Sequence, residues 1–567
     1  MIHLNYRFEI IKEHSGWFLN RNPRFILQGG NKMVSGIRFG GLASGMDTES
    51  MVKQLMQSER IRVDKFTQQK ILKQWQQTEY NSMNKLMANF ILDSRKKLEL
   101  TKTTSSGALI SGGIDSVTWA KSAVSSNTSA FDVTASASAP SGVSTLEVVQ
   151  LATGASVSSQ TSLDADKTTA GQLLGFSGTT KTVRINEKDI VLLETDTLSD
   201  IAQKIRTETG LNANYDATAN RFFISSKTTG STDAKITFDN ADAENLRDAL
   251  KFTNLSNTIG KDAIIKYNGT DNLTYSSNNI SINGLNITLK ATSGVETIRT
   301  DTNVDGAYNK IKEFIDEYNK LIDVFNAKLG EKTYRDFPPL TDEQKKEMSE
   351  SDIKLWEEKA KSGLIKNDST INNMLSKMRQ DIYESVTGAG SIYEFGITTG
   401  GWRDNGKLQI DETKLKDALR SDSEKVLNTL FKTSSVPEQT INADDSDIVK
   451  AEKKALMDQR QAESGAFIRI YDNMTNGIKE IVSKSGPGSE STLLRSVKST
   501  ILIDYVTKGS KSLLDSDIGE IDKRIDRENQ RLITIEQRYW KQFTAMEQAM
   551  SQMNSQSSWL SQQFGGQ

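Results

Sequence analysis

Apolar residues recur at helical spacing towards both ends of this chain and alternate with polar ones through its middle. From Ile518, alternating steps of three and four visit Ile518, Ile521, Ile525, Glu528, Leu532, Ile535, Tyr539, Gln542, Met546, Ala549, Met553, Gln556 and Leu560, and ten of these thirteen positions are apolar. A 3.5-residue repeat held this long forms a narrow stripe, which suits pairing with another helix better than packing on a broad core. Burying one such side chain contributes roughly 1.5–3 kcal/mol, whereas ordering each backbone residue costs about 1–2 kcal/mol. The helix is therefore expected to be marginal alone and to order when a facing stripe is supplied. Near the other end, no proline falls between Thr48 and Leu100, and glycine is absent between Gly45 and Gly107. This predicts one or two helices, capped by Asp47 or Thr48. Val52, Leu55, Met56, Val63 and Phe66 form the partner face, and Trp75, Met83, Leu86 and Phe90 follow.

Between these helices the periodicity changes. Residues 103–162 are rich in Ser, Ala, Thr, Val and Gly and alternate, as in Phe131–Ala135 and Thr145–Val149, which predicts surface-type strands. Residues 171–239 read as a unit: a hairpin of 183–193 turning at Glu187-Lys188-Asp189, a helix started by Thr197 with Asp200 and stopped near Gly210, then two strands. Strands resume over 263–300 around Asn283-Gly284, a tight-turn signal. Helices are expected over 307–329, Thr341–Ala360, Ser369–Thr387, 411–431 and 444–484, with a turn-rich β segment at 396–410 and a last packing helix after Gly486-Pro487-Gly488. The fold class is α+β multidomain: terminal coiled-coil helices and a helical-bundle domain bracket inserted β-rich domains.

Composition narrows the functions this architecture can serve. Lys+Arg (71) and Asp+Glu (73) nearly cancel, so no basic excess awaits nucleic acid. No apolar run reaches the ~18–20 residues of a membrane helix, and membrane insertion is not expected. Cysteine is absent and the two histidines, His3 and His14, lie at the very start. Thiol nucleophiles, disulfides, the usual zinc ligand sets and His-based triads are thereby excluded from residue 15 onward. Residues 1–32 lack the apolar core and cleavage site of a secretion signal. Gln28-Gly29-Gly30-Asn31-Lys32 can be encoded with AGGAGG about seven nucleotides before the Met33 codon. A translated ribosome-binding site, with the true start at Met33, is the expectation.

Several separated motifs, in order, carry a resemblance. Gly41-Leu42-Ala43-Ser44-Gly45-Met46-Asp47-Thr48, then Met51-Val52-Lys53-Gln54-Leu55-Met56 and Glu59-Arg60, resembles the N-terminal signature of the bacterial flagellar filament cap (hook-associated protein 2) family. Phe337-Pro338-Pro339-Leu340-Thr341, Trp356-Glu357 through Gly363-Leu364, and Gly396-Ile397-Thr398 with Gly406-Lys407-Leu408 are similar to its C-terminal region. The 171–239 unit resembles the flagellin/hook insertion motif, and Met46 stands where the family usually has Leu. The resemblance implies a secreted, extracellular ring homo-oligomer, a pentamer being expected, at the distal tip of the filament. It also implies partners: flagellin, whose loss the cap prevents and whose folding and insertion it promotes, the hook-associated junction proteins, and a cytoplasmic export chaperone on the C-terminal helix. Export would run through the flagellar type III channel.

The expected division is 1–32 leader; 33–74 N-terminal coiled-coil part; 75–105 with 303–512 helical bundle; 106–162 with 262–302 β-rich head; 163–261 insertion-motif head; and 513–567 C-terminal coiled-coil part. Glu528, Gln542 and Gln556 recur every fourteen residues in the seam, where they weaken packing and can fix register. The seam can pair within the chain, between copies, or both. No catalytic, cofactor or metal site is expected: Glu187, Asp189 and Asp196 read as solvated turn acids rather than a glycosidase pair. The acids around Asn303, Asp301 and Asp305, lack the spacing of a calcium loop. Trp356 and Trp402 read as packing residues. The competing functions are a surface adhesin, binding mucin or a host surface through the head domains, and a carboxylate-based wall hydrolase.

Overall fold

The computed structural model describes residues 47–104, 109–401, 404–442, 444–486 and 512–564. The expected Met33 start, most of the Gly41–Thr48 motif, Trp402 and the helix expected after Gly488 lie outside them. The architecture is helical at both ends and sheet-rich between, and it divides into two units. One takes the chain up to Lys65 together with Arg524 onward, and the other runs from Phe66 to Lys523. A single helix, Thr48–Lys97, and a second, Leu513–Phe564, each contribute to both units.

In the larger unit the principal core is helical. Helix Val304–Gly330 buries Ile311, Phe314, Ile315, Tyr318, Leu321, Ile322, Phe325 and Leu329, one face at three- and four-residue spacing, and Asn303 caps it by accepting from Gly306 N at 3.0 Å. Phe314 stacks on Phe467 at 4.2 Å and meets Phe90, Tyr471 and Phe431 at 5.5–6.4 Å. These contacts tie the N-terminal helix to helices Glu412–Phe431 and Ala466–Ser485. Ile114, Val117 and Trp119, assigned from sequence to the head, join this core instead, and Trp119 donates to Leu98 O at 3.0 Å.

Three expected helices are shorter than their periodicity suggested. Thr341–Ala360 is Asp342–Lys346 followed by Glu350–Lys361, because Ser349 caps a new start on Asp352 N. Ser369–Thr387 stops at Tyr383. The stretch 444–484 breaks into Asp447–Glu463 and Ala466–Ser485 at Ser464-Gly465, where a Cβ on Gly465 would lie 2.6 Å from Leu430 C and Phe431 N. The backbone approaches too closely there for any other residue.

The head is a sandwich of two antiparallel sheets. One orders the strands Thr270–Tyr275, Ala263–Tyr267, Gly142–Gln150, Val295–Thr302 and Lys121–Ser125; the other orders Asn279–Ile282, Leu285–Leu289 and Phe131–Ala135. Alternating inward residues, among them Phe131, Leu146, Ile265, Ile287 and Ile298, form a shared core. Asn283 (φ 51°) and Gly284 (φ 77°) make the predicted two-residue turn.

A second β/α body is inserted in this head. Strand Ser156–Ser158, expected with the sandwich, pairs instead with Arg221–Ser225 in that body. The hairpin Thr180–Ile185/Lys188–Leu193 turns at Asn186-Glu187 (φ 49° and 62°), so Lys188 and Asp189 are already strand residues. Helix Leu198–Thr209 has the predicted capping box of Thr197 and Asp200 and ends on left-handed Gly210. A further helix, Ala241–Ala249, was not predicted.

Arg469 fastens the helical bundle. Its side chain is buried, and it donates to the carbonyls of Gln461 (2.7 Å), Asp381 (2.9 Å), Glu384 (2.7 Å), Ser385 (3.1 Å) and Ala462 (3.3 Å), groups at or just past two helix C-termini that have no intrahelical partner. Arg469→Leu should cost about 3–5 kcal/mol in denaturant unfolding, because it removes the donor held by the carbonyls of Gln461, Asp381, Glu384 and Ser385, whereas Ala462 O keeps the bond from Thr387 N at 2.9 Å. Arg469→Lys, which keeps the charge but loses the planar fork, should recover less than half of that.

Candidate assembly surface

The two long helices run antiparallel where they meet. In the smaller unit Val52 and Met56 are buried with Leu532 and Ile535, and Val63, Tyr539, Trp540 and Phe543 pack around them. Arg531 reaches Glu59 at 3.2 Å. In the larger unit Lys70 pairs with Asp522 (2.6 Å), Lys73 with Asp517 (2.8 Å), and Gln77 donates to Asp515 (2.8 Å), numbers rising on one helix as they fall on the other. Asp47, rather than Thr48, caps the N-terminal helix, accepting from Ser50 N at 2.9 Å.

Of the predicted partner face, Val52 and Met56 are buried and Val63 and Phe66 half-buried, but Leu55 is 40% exposed. The covered stripe runs Val52, Met56, Glu59, Val63, Phe66, Lys70, Lys73, Gln77, Tyr80, a 3.5-residue repeat in its own right. Hydrophobicity alone missed it because four of these nine positions are polar. The signal that would have found it is chemical complementarity: Glu59, Lys70, Lys73 and Gln77 face Arg531, Asp522, Asp517 and Asp515.

On the C-terminal helix Ile521, Leu532 and Ile535 are buried, and Ile518, Ile525, Tyr539 and Met546 are half-buried. Past Tyr539 the covered stripe departs from the strict repeat. Phe543 and Met550 are half-buried, whereas Gln542 and Ala549 are exposed. An α-helix at 3.6 residues per turn drifts off a 3.5 repeat, and Leu532 to Met550 spans about five true turns. Glu528 binds Arg531 on its own helix at 3.2 Å, and Gln556 is exposed. From Ser551 to Gln563 every residue is exposed, including Met553 (64%), Trp559 (58%) and Leu560 (46%). Among the described residues, the stripe thus continues beyond its cover.

The acids weighed for chemistry do not converge. Asp189 forms a two-pronged pair with Arg184 (2.7 and 2.9 Å), Asp196 binds Lys204 and Leu193 N, Asp301 binds Arg299 (2.7 Å), and Asp305 binds Lys416 (2.9 Å). Lys416 and Arg184 hold the Asp305 and Asp189 carboxyls below their usual range. Trp356 donates to Pro338 O at 2.7 Å and packs on Phe337 at 4.7 Å.

The chain matches the flagellar hook-associated protein 2 C-terminus family over residues 260–555 and the N-terminus family over 44–155. It is 31% identical to flagellar hook-associated protein 2 of Halalkalibacterium halodurans, across 93% of this chain and 100% of that one. The chain belongs to the flagellar hook-associated protein 2 family. It is also similar to the Escherichia coli K12 member, at 23% identity over 92% of this chain and 97% of the other. A crystal structure of the flagellar cap protein FliD D1-D2-D3 domains from E. coli covers 70% of this chain and is itself covered to 95%, with TM-score 0.43 and 21% identity.

Leu532→Ala should destabilise the helical arm by about 2–4 kcal/mol, read as lost helicity at intermediate denaturant. Met553→Ala, on the uncovered run, should change the isolated chain by no more than about 0.5 kcal/mol.

Nearby, Tyr80 (2.6 Å) and Lys484 (2.6 Å) both bind Asp368 Oδ2, and Ile371 N donates to Oδ1. Burial alone would raise the Asp368 carboxyl, but these bonds outweigh it and hold it below its usual range. A depressed folded pKa contributes stability above the unfolded value and loses it as pH falls through the folded one. Asp368→Asn should therefore be less stable than the parent at pH 7, and urea titrations should show the two converging below about pH 4.

Proposed function

We propose that this hook-associated protein 2 chain is a filament cap: a ring-forming homo-oligomer at the distal tip that retains exported flagellin and promotes its folding and insertion. The observation that carries this reading is the apolar stripe that outruns its cover, Met553, Trp559 and Leu560, on a helix with no charged residue after Glu547. An uncharged, Gln/Ser-rich helix with a few large apolar side chains is suited to packing among other helices and to sliding between registers. Charged rows would lock it.

The same economy suits export. The terminal helical arm buries only a small cluster, so unfolding it for passage through a narrow type III channel costs little, and a cytoplasmic chaperone has an exposed apolar stripe to hold. The junction proteins are the surface on which the first ring would assemble, with helix pairing providing the contact. A pentamer is the expected ring.

The test is complementation of a cap-null, otherwise flagellated strain carrying the cognate flagellin. The parent chain should restore long filaments with little flagellin in the medium. The triple variant Met553→Ser, Trp559→Ser, Leu560→Ser should be exported yet leave filaments short and flagellin lost. Full restoration by the triple variant would remove the uncovered stripe from the mechanism.

A further inference from the structure

Helix Asp447–Glu463 is unusual among the helices of the bundle. It is seventeen residues long and buries none of them; Ile448 is 73% exposed and Leu456 and Met457 38% each. Its fastenings are concentrated in its last turn. There Arg460 donates to Val436 O (2.8 Å) and binds Asp472 (3.2 Å), Gln461 donates to Asp381 (3.1 Å) and Glu384 (2.7 Å), and Glu463 accepts from Ser434 (2.6 Å). The carbonyls of Gln461 and Ala462 are held by Arg469. Immediately beyond, Ser464 is fully buried and Gly465 N donates to Lys432 O at 2.8 Å.

The first three turns are different. Among the described residues, the bonds their side chains make stay within the helix, as Lys454–Asp458 (2.9 Å), or reach back to the segment leading into it, as Lys453 to Asp445 (2.7 Å) and Thr440 O (2.9 Å). Beneath them lies a cleft of about 320 Å³ between this helix and the floor made by Asp381, Asp472 and Asn473. Met457 and Lys454 hang over it from the helix, and Glu438 and Ile441 close one side. The first turns are tied to the bundle only indirectly, through Lys453 to Asp445 and from that segment through Glu438 to Lys479 (2.5 Å), an exposed pair that opposes rotation about the last turn weakly.

We infer that Asp447–Glu463 is a strap, pivoting on its Arg460–Glu463 turn and opening and closing over the cleft while the bundle stays folded. Closed, it covers the polar floor, where Asp381 and Asn473 are buried; open, it presents that floor beside the already exposed Ile448, Leu456 and Met457. The same chain would then have two surfaces to offer during assembly, differing by one helix.

Hydrogen exchange tests this on the full chain. Amides of 447–457 should exchange at least ~100-fold faster than those of 466–482, as a unit that opens below global unfolding. The chain has no cysteine, so Met457→Cys with Asn476→Cys, residues that both line the cleft, gives one defined pair for a bis-maleimide long enough to span it. Before linking, the variant should exchange like the parent, which checks folding. After linking, 447–457 should exchange close to the rate of 466–482. Equal protection of the two helices in the parent, or exchange that stays fast after linking, would overturn the strap.

Discussion

The constraint on which the assembly end of this protein depends is that its terminal helices bury too little apolar surface to be stable by themselves. Four buried side chains, Val52, Met56, Leu532 and Ile535, form the cluster in the smaller unit. Their burial contributes a few kcal/mol each, set against the entropy of every residue in two helical arms. In the larger unit the contact between the same two helices includes Lys70–Asp522 and Lys73–Asp517, partly exposed pairs of the kind that add little stability but select a register, beside the Gln77–Asp515 bond and the buried Ile521. A pairing that is specific but weak is one that other helices can join.

The bundle has the opposite character. Phe314 sits among Phe90, Phe431, Phe467 and Tyr471, and Arg469 closes the helix ends that meet beside them. This core incorporates the latter half of the N-terminal helix. The sheet-rich head and its inserted body have separate cores of their own.

Much of this is legible in the sequence. The Val304–Gly330 face, the Thr197/Asp200 capping box and the Asn283-Gly284 turn are local signals with a direct physical cause, and each appears where the residues place it. The failures share another cause. The break at Gly465 comes from a backbone approach by Leu430 and Phe431, distant in sequence, which no local pattern records. The true stripe of the N-terminal helix was hidden because Lys70, Lys73 and Gln77 occupy seam positions, and their suitability is visible only beside Asp522, Asp517 and Asp515. The strict heptad reading placed Gln542 and Ala549 in the covered stripe, where the helix brings Phe543 and Met550, because periodicity cannot say where a helix stops being supercoiled by a partner.

Residues 551–563 are proposed as a docking surface completed only by assembly. Hydrogen exchange on the dispersed chain and on the same chain incorporated at filament tips tests it most directly. The account predicts that amides of 532–543 are protected in both states and that those of 551–563 become protected only on incorporation. Equal and rapid exchange of 551–563 in both states would contradict it.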